Sequence, residues 1–315
     1  MKESHPVNVA KFTKARGIDK EPAFQWWMPY TLCKRDVIID AVKSRVYKTT
    51  HKYGIELPIR VDHARELDQK NKNTFWMDAL TKEMQNIRVA FKVLPDGKVA
   101  PSKWELVTGH LIWELKMDFT RKARWVLDGH KIPDATISTC TGVVSQESVR
   151  IAFTYAVLND LDVCVADIGN AYLQAPSSER HYIICGDKFP LEYCGQVSVI
   201  QRALYGGKCS GLDYWKYMRT SMHHLGFTPF KINPDVWMRP ASKASDNAEY
   251  WEFVLLYVDD ALCISMRPED ILRNEIGKYW TMKKGSIGPP DIYLGNKVSK
   301  VTLENGVDAW AFSSS

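Results

Sequence analysis

Two apolar runs joined by a pair of aspartates constrain this chain more than any other feature. In FVLLYVDDALCISM (253–266), Phe253 to Val258 and Ala261 to Ile264 are apolar, aromatic or cysteine, and Asp259-Asp260 interrupts them. Runs of this kind read as buried strands. A tight turn carrying the acidic pair makes them a β-hairpin, because Asp tolerates turn backbone angles. A buried carboxylate, however, is costly unless it is protonated, paired or bound to a cation.

A third carboxylate sharpens the problem. Asp167 ends another apolar strand in VCVADIGNAYLQAP (163–176). Three acidic groups at the ends of adjacent buried strands repel one another unless cations bridge them. Mg²⁺ suits such a cluster, since it takes hard oxygen ligands and keeps waters or phosphate oxygens in its shell. Two such ions about 4 Å apart can clamp the attacking and leaving oxygens of a phosphoryl transfer. An Asp-Asp turn by itself is common turn chemistry; Tyr-Val-Asp-Asp after an apolar strand, with Asp167 upstream, is far more specific.

The rest of the chain supplies a globular frame. Its 315 residues are 45% hydrophobic and 25% charged, enough for a sizeable core in one or two domains. Residues 1–60 hold 12 Lys/Arg against 6 Asp/Glu, a local charge of +6 in a chain of net +5, so the remainder is close to neutral. Two readings of this segment stand side by side: a solvated basic extension or a nucleic-acid-facing one. The seven cysteines (33, 140, 164, 185, 194, 209, 263) form no CxxC pair and are odd in number. That pattern argues against a disulfide framework and for a reducing, intracellular setting. No zinc-ligand spacing, apolar signal segment or run of 18 apolar residues occurs, so a soluble protein is expected.

Apolar periodicity places the elements. It predicts helices over 35–48 and 75–88, the latter capped by Asn73 or Thr74. A strand pair follows over 110–131 with a turn near 118–121, then a buried helix over 147–158 and a strand over 161–168. Strands near 181–185 and 197–203 precede a helix over 211–227 that ends at Gly226, and Pro268 opens a helix over 268–280. Helices and strands alternate without a strict βαβ rhythm, which predicts an α+β fold: an antiparallel sheet with helices packed on one face.

Several segments, in order, carry a family resemblance. They are RKARWVLDGHK (121–131), Asp167-Ile168-Gly169-Asn170-Ala171-Tyr172-Leu173, LYGGKCSG (204–211) followed by Trp215, GFTPFKINPDVW (226–237), Tyr257-Val258-Asp259-Asp260 and WTMKKGSIGPPDIYLGNKV (280–298). Across residues 73–298 the chain resembles the reverse transcriptase of copia-type LTR retrotransposons. The resemblance implies the fingers and palm of a right-hand polymerase. Residues 1–60 would be a basic extension or linker and 61–310 the polymerase, with fingers mainly 61–135 and 177–210 and palm mainly 136–176 and 211–300. Because the chain reaches AWAFSSS soon after the last match, the thumb is expected to be largely missing, and the ribonuclease H portion absent. Thumb loss would weaken the grip on the template–primer phosphates.

The resemblance also assigns roles residue by residue. Asp167, Asp259 and Asp260 would be the catalytic carboxylates and metal ligands, with two Mg²⁺ ions and Mn²⁺ as a substitute. Ile168 would face the metal or triphosphate through its backbone, and Tyr172 would be the aromatic gate that rejects a 2′-OH. Arg124 and Lys122 would hold the incoming triphosphate, Arg being suited to it by its planar fork. Gly206 and Lys208 would support the nascent base pair; Tyr293, Leu294 and Gly295 would form the primer grip. Lys284 would protonate the leaving pyrophosphate, although the neighbouring Lys283 leaves the choice open. Cys209, Gly211 and Gly207 depart from the family's Gln, Pro and Leu and put fidelity and template contacts in doubt.

The implied activity is RNA-directed DNA synthesis: two-metal nucleotidyl transfer of dNTPs onto a primer 3′-OH. Partners would be an RNA template, a DNA or tRNA primer, dNTPs, and the ribonuclease H and integrase portions of the same polyprotein, with no membrane. The setting would be the cytoplasm, in a virus-like particle, with nuclear access. The alternative is a truncated, non-catalytic retrotransposon remnant that at most binds nucleic acid. An RNA-templated RNA polymerase shares the palm logic, but Tyr172 and LYGGK argue against it.

Overall fold

The computed structural model describes residues 50–132, 141–186, 189, 191–304 and 306–314. The helix expected over 35–48 therefore lies outside the described residues. In chain order these form β1 (His51–Lys52), β2 (Ile55–Glu56), α1 (Val61–Lys70), α2 (Phe75–Ile87), β3 (Phe91–Val93), β4 (Glu105–Leu106), β5 (Gly109–Leu115) and β6 (Arg121–Leu127). Next come α3 (Gln146–Leu158), β7 (Asp162–Asp167), α4 (Ala171–Gln174), β8 (His181–Ile184), β9 (Val197–Ile200) and α5 (Ser210–His224). The chain continues through β10 (Thr228–Pro229), β11 (Val236–Ser242), β12 (Glu249–Tyr257), β13 (Asp260–Ser265), α6 (Pro268–Asp270), β14 (Ile292–Tyr293), β15 (Asn296–Thr302) and β16 (Asp308–Ser314). The fold is thus mixed α/β, with several small sheets. Among the described residues no helix is long and apolar enough to cross a membrane.

Two compact units divide the chain. The smaller comprises 50–83 with 111–124. In it Trp76 meets Trp113 edge to face at 5.8 Å, and the Arg121 guanidinium lies 5.2 Å from the Phe75 ring centroid. The start of α2 is held differently from expectation. Asp68, at the end of α1, accepts the free N–H groups of Trp76 (3.1 Å) and Met77 (2.9 Å). Asn73 accepts only from Phe75 (3.3 Å), and Thr74 turns its hydroxyl to Asp78. A carboxylate at a helix start satisfies orphan donors and meets the positive end of the dipole, which explains why a buried Asp is tolerated there.

The larger unit comprises 84–110 with 125–314. Its centre is a five-stranded antiparallel sheet in the order β10-β11-β12-β13-β7. The period of two along the strands sends Ala166, Trp237, Val254, Leu256, Ala261 and Cys263 to one face and Val163, Val236, Leu255, Leu262 and Ile264 to the other. Tyr214, Met218 and Met222 of α5, with Ile271, Leu272, Ile276 and Trp280, cover the first face. Each such side chain, fully buried, contributes about 1.5–3 kcal/mol. Val149, Ala152, Phe153 and Ala156 of α3, with Tyr293 and Val298 from the β14-β15-β16 sheet, cover the second. Helices therefore lie against both faces, not one as the sequence predicts. A four-stranded sheet, β3-β9-β8-β4, has β4 parallel to β8.

Two helices differ from their expected form. α3 is half buried, since Ile151 and Leu158 are 69% and 74% exposed. The stretch expected as one helix over 268–280 starts at Pro268 as foreseen, widens to a π turn over Ile271–Glu275 and tightens to a 3₁₀ turn over Ile276–Lys278. By contrast α5 ends as its sequence predicts, with Gly226 in the left-handed region just beyond it (φ +81°).

Candidate active site

The β12–β13 hairpin is as tight as its sequence implies. Tyr257 pairs with Asp260, so Val258 and Asp259 alone make the turn. Val258 sits in the left-handed region at φ +53°, a costly backbone for a β-branched residue. Its carbonyl accepts the hydroxyl of Tyr214, which α5 delivers from the packed face of the sheet. That bond helps hold the turn in its unusual shape. One residue on, Asp260 lies directly across from Asp167 in the β13–β7 register, and Ile168 donates its N–H to the Asp259 carbonyl at 2.7 Å. All three aspartates thus end up at one end of two adjacent strands.

Like charges opposite one another destabilise a strand pair, and the carboxyls register it. Burial first, then the charges of Asp259 and Asp167, push the Asp260 carboxyl up to about 6, with Lys283 opposing the rise. The phenols nearby respond to the same charge. Burial and then Asp259 raise Tyr172 and Tyr214, and burial and then Asp260 raise Tyr293.

A segment beyond Trp280 docks along the outer edge of β7. Gly169 donates to the Thr281 carbonyl (3.0 Å), Lys283 donates its N–H to the Asp167 carbonyl (2.8 Å), and Val165 pairs with Gly288. Gln174 fastens one end, accepting from Thr281 N–H at 2.7 Å and donating to the Gly169 carbonyl at 2.6 Å. Ser286 fastens the other, accepting the Asp167 N–H at 3.1 Å. Between these clamps the Lys283 ammonium reaches Asp167 Oδ2 at 2.6 Å. Its own proton is held above the ordinary lysine range, first by that hydrogen bond and also by the charges of all three aspartates. Lys284 is exposed and, among the described contacts, has no bond to the aspartates. The lysine at the cluster is therefore Lys283.

Among the described residues no group of three or more His, Cys, Asp or Glu converges as a ready ligand set for a metal. The donors nonetheless suit a hard cation. They are carboxylate oxygens, they crowd one another's charge, and Asp259 is exposed at the turn. One of these carboxylates, Asp167, is already paired with the Lys283 ammonium.

The other expected residues divide clearly. Tyr172 is half-buried beside the cluster, edge to face with Tyr205 (5.1 Å) and Tyr214 (5.5 Å). Ile168 is a core side chain whose N–H donates to the Asp259 carbonyl. Gly206 has φ +84°, and a Cβ there would lie 2.2 Å from the Leu127 carbonyl oxygen, so the glycine is required by a close backbone approach. Lys208 is half-buried on the same loop. Gly207, a departure from the family's Leu, has no space for a side chain, since its Cβ would meet Ser210 Oγ at 2.4 Å. Leu294 (φ +49°) and Gly295 (φ +77°) form the two-residue turn joining β14 to β15. Tyr293 is buried in the core with its hydroxyl unpartnered, a packing position where a primer contact was expected. Arg124 and Lys122 belong to the smaller unit, where Arg124 lies 3.9 Å from Glu114 and burial, then Arg124, lowers the Lys122 ammonium.

Sequence reasoning missed the groups that hold these parts in place. Gln174 and Ser286 are two. Asp128 is a third: its buried carboxylate takes Lys131 Nζ (2.7 Å), Thr108 Oγ1 (2.5 Å) and His110 Nδ1 (2.6 Å), which hold it far below the ordinary carboxylate range. It stands beside Gly129, whose Cβ would clash with the Gly206 carbonyl at 2.1 Å. An Asp-Gly pair at the end of a strand was the available signal. The five described cysteines are free thiols. Comparison of the chain with models of known protein families gives no match, and comparison with curated proteins gives none either.

Proposed function

We propose that this chain is the fingers and palm of an RNA-directed DNA polymerase of the copia retrotransposon type, adding dNTPs to a primer 3′-OH. The observation that carries the reading is the opposition of Asp260 and Asp167 across adjacent strands, with Asp259 at the turn and Tyr172 alongside. In this reading Asp167 and Asp259 hold two divalent ions, with Asp260 as the inner carboxylate. When bound, the ions supply charge neutralisation for the attacking 3′-oxygen and the leaving pyrophosphate. Because it pairs with Asp167, Lys283 rather than Lys284 takes the role of giving the pyrophosphate its proton in this reading. Tyr172 bounds the sugar and excludes a 2′-hydroxyl, and the loop of Gly206 and Lys208 supports the nascent base pair. Positioning and electrostatics do most of the catalysis in such a transfer.

Template and primer would be RNA and a DNA or tRNA strand, within a polyprotein that also carries ribonuclease H and integrase, in a cytoplasmic particle. Primer extension on an RNA template with labelled dNTPs and Mg²⁺ tests the reading. Extension by the 315-residue chain that Asp259→Asn abolishes supports it. No extension, even with a ribonuclease H domain appended downstream, leaves the non-catalytic remnant as the reading.

A further inference from the structure

We infer that Lys283 is a built-in counter-cation of the aspartate cluster, which a divalent ion must displace from Asp167, so that this side chain sets how much metal the site requires. The inference rests on the metal-site reading above and deepens it. Three observations carry it.

Occupancy comes first. Lys283 Nζ lies 2.6 Å from Asp167 Oδ2, a short charge-assisted hydrogen bond. A small ion that demands near-ideal geometry cannot take that oxygen on the same side as the ammonium. Direct competition follows.

The second observation is that Lys283 can yield without unfolding anything. Its N–H is fixed to the Asp167 carbonyl at 2.8 Å, and Gln174 and Ser286 clamp the segment on either side. The side chain itself is 59% exposed. A lysine stem is flexible and its ammonium strongly hydrated, so leaving Asp167 requires only rotation into water. An exposed ion pair of this kind is weak enough for a dication to displace.

Charge is the third. Three carboxylates meet at this end of the sheet, with Asp260 in direct register with Asp167 and Asp259 at the adjoining turn, and Lys283 pairs with Asp167 alone. A single ammonium balances only part of three carboxylates. The cluster is therefore held together before metal arrives, yet remains electrostatically unsaturated and attractive to a dication.

The test is Mn²⁺ binding to the full chain, followed by the electron paramagnetic resonance of free Mn²⁺, in wild type, Lys283→Met, Lys284→Met and Asp259→Asn. Near-UV circular dichroism verifies folding, and Lys283→Gln serves if the Met variant misfolds. The expected result is that Lys283→Met binds Mn²⁺ about tenfold more tightly at an Asp259-dependent site. Lys284→Met, with the same loss of charge one residue away, changes affinity about twofold or less. Equal affinity in wild type and Lys283→Met, with binding still lost in Asp259→Asn, overturns the counter-cation while leaving the metal site intact. Equal tightening by Lys283→Met and Lys284→Met also overturns it, since bulk charge would then suffice. Absence of any Asp259-dependent binding overturns both this inference and the metal site.

Discussion

Asp260 and Asp167 face one another across the β13–β7 pair, two like charges in direct register on the central sheet. Folding buries Asp260 and brings these charges together, so the native state binds a proton more tightly than the unfolded chain does. The Asp260 carboxyl is raised to about 6 from its ordinary 3.8. Native protein then holds more protons than unfolded protein between about pH 4 and 6, and stability falls as pH rises through that window. Asp260→Asn removes the penalty. In metal-free buffer we expect it to raise unfolding free energy at pH 7.5 by about 1–2 kcal/mol, discounted for partial exposure, and to have little effect at pH 4. Urea denaturation at the two pH values checks this; equal effects at both would contradict it.

Gly206→Ala should damage the loop that carries Lys208. The new methyl would need a backbone φ of +84° and would sit 2.2 Å from the Leu127 carbonyl oxygen. The strand end must move, breaking the 2.7 Å bond from Leu127 N–H to the Tyr205 carbonyl. A loss of about 3 kcal/mol or more is expected in chemical denaturation. Gly195→Ala, also at positive φ (+82°) but with open space around it, should cost only about 1–2 kcal/mol.

A buried ion network ties β11 and β12 to the helical stretch after β13. Arg239 holds Glu252 at 2.6 Å and Glu275 at 2.7 Å, and Glu252 is 2% exposed. Arg239→Met leaves that carboxylate without its closest cation, so a loss of about 3–5 kcal/mol is expected. Glu252→Gln in the same chain keeps the hydrogen bond from Ser265 and removes the charge. The double variant should recover a substantial part of the loss, and a double-mutant cycle measures it.

In the proposed reading Tyr172 bears on sugar choice. If its half-buried ring closes the floor of the nucleotide site, Tyr172→Ala should narrow the preference for deoxynucleotides over ribonucleotides by at least about tenfold, a change of about 1.4 kcal/mol in relative transition-state binding. Single-nucleotide incorporation with matched dNTP and NTP reads it directly. An unchanged ratio would show that the ring serves only to pack against Tyr205 and Tyr214.

The hairpin and its acidic turn were legible because two apolar runs around Asp259-Asp260 fit little else, and Asp167 was legible as the end of a third strand. The choice between Lys283 and Lys284 was not. The segment lies along the edge of β7, where successive side chains point to opposite sides, so only the pairing of Lys283 with Asp167 determines which lysine meets the cluster. Nor could local sequence reveal that Gly129 packs on Gly206, since that contact joins distant parts of the chain, or that Asp68 caps α2 from the preceding helix, since its reach depends on how α1 turns into α2. The second covered face was hidden for the same reason. The apolar stripe of α3 says that it packs, but not on which side of the sheet.

In the proposed reading Asp167, Asp259 and Asp260 form one divalent-cation site once Lys283 withdraws. Anomalous scattering from crystals of the protein soaked in Mn²⁺ tests it most directly. The expected map shows a peak about 2.1 Å from carboxylate oxygens of both Asp167 and Asp259, with the Lys283 ammonium turned away from Asp167. A map with no peak at the hairpin, and Lys283 still bonded to Asp167 at saturating Mn²⁺, would contradict it.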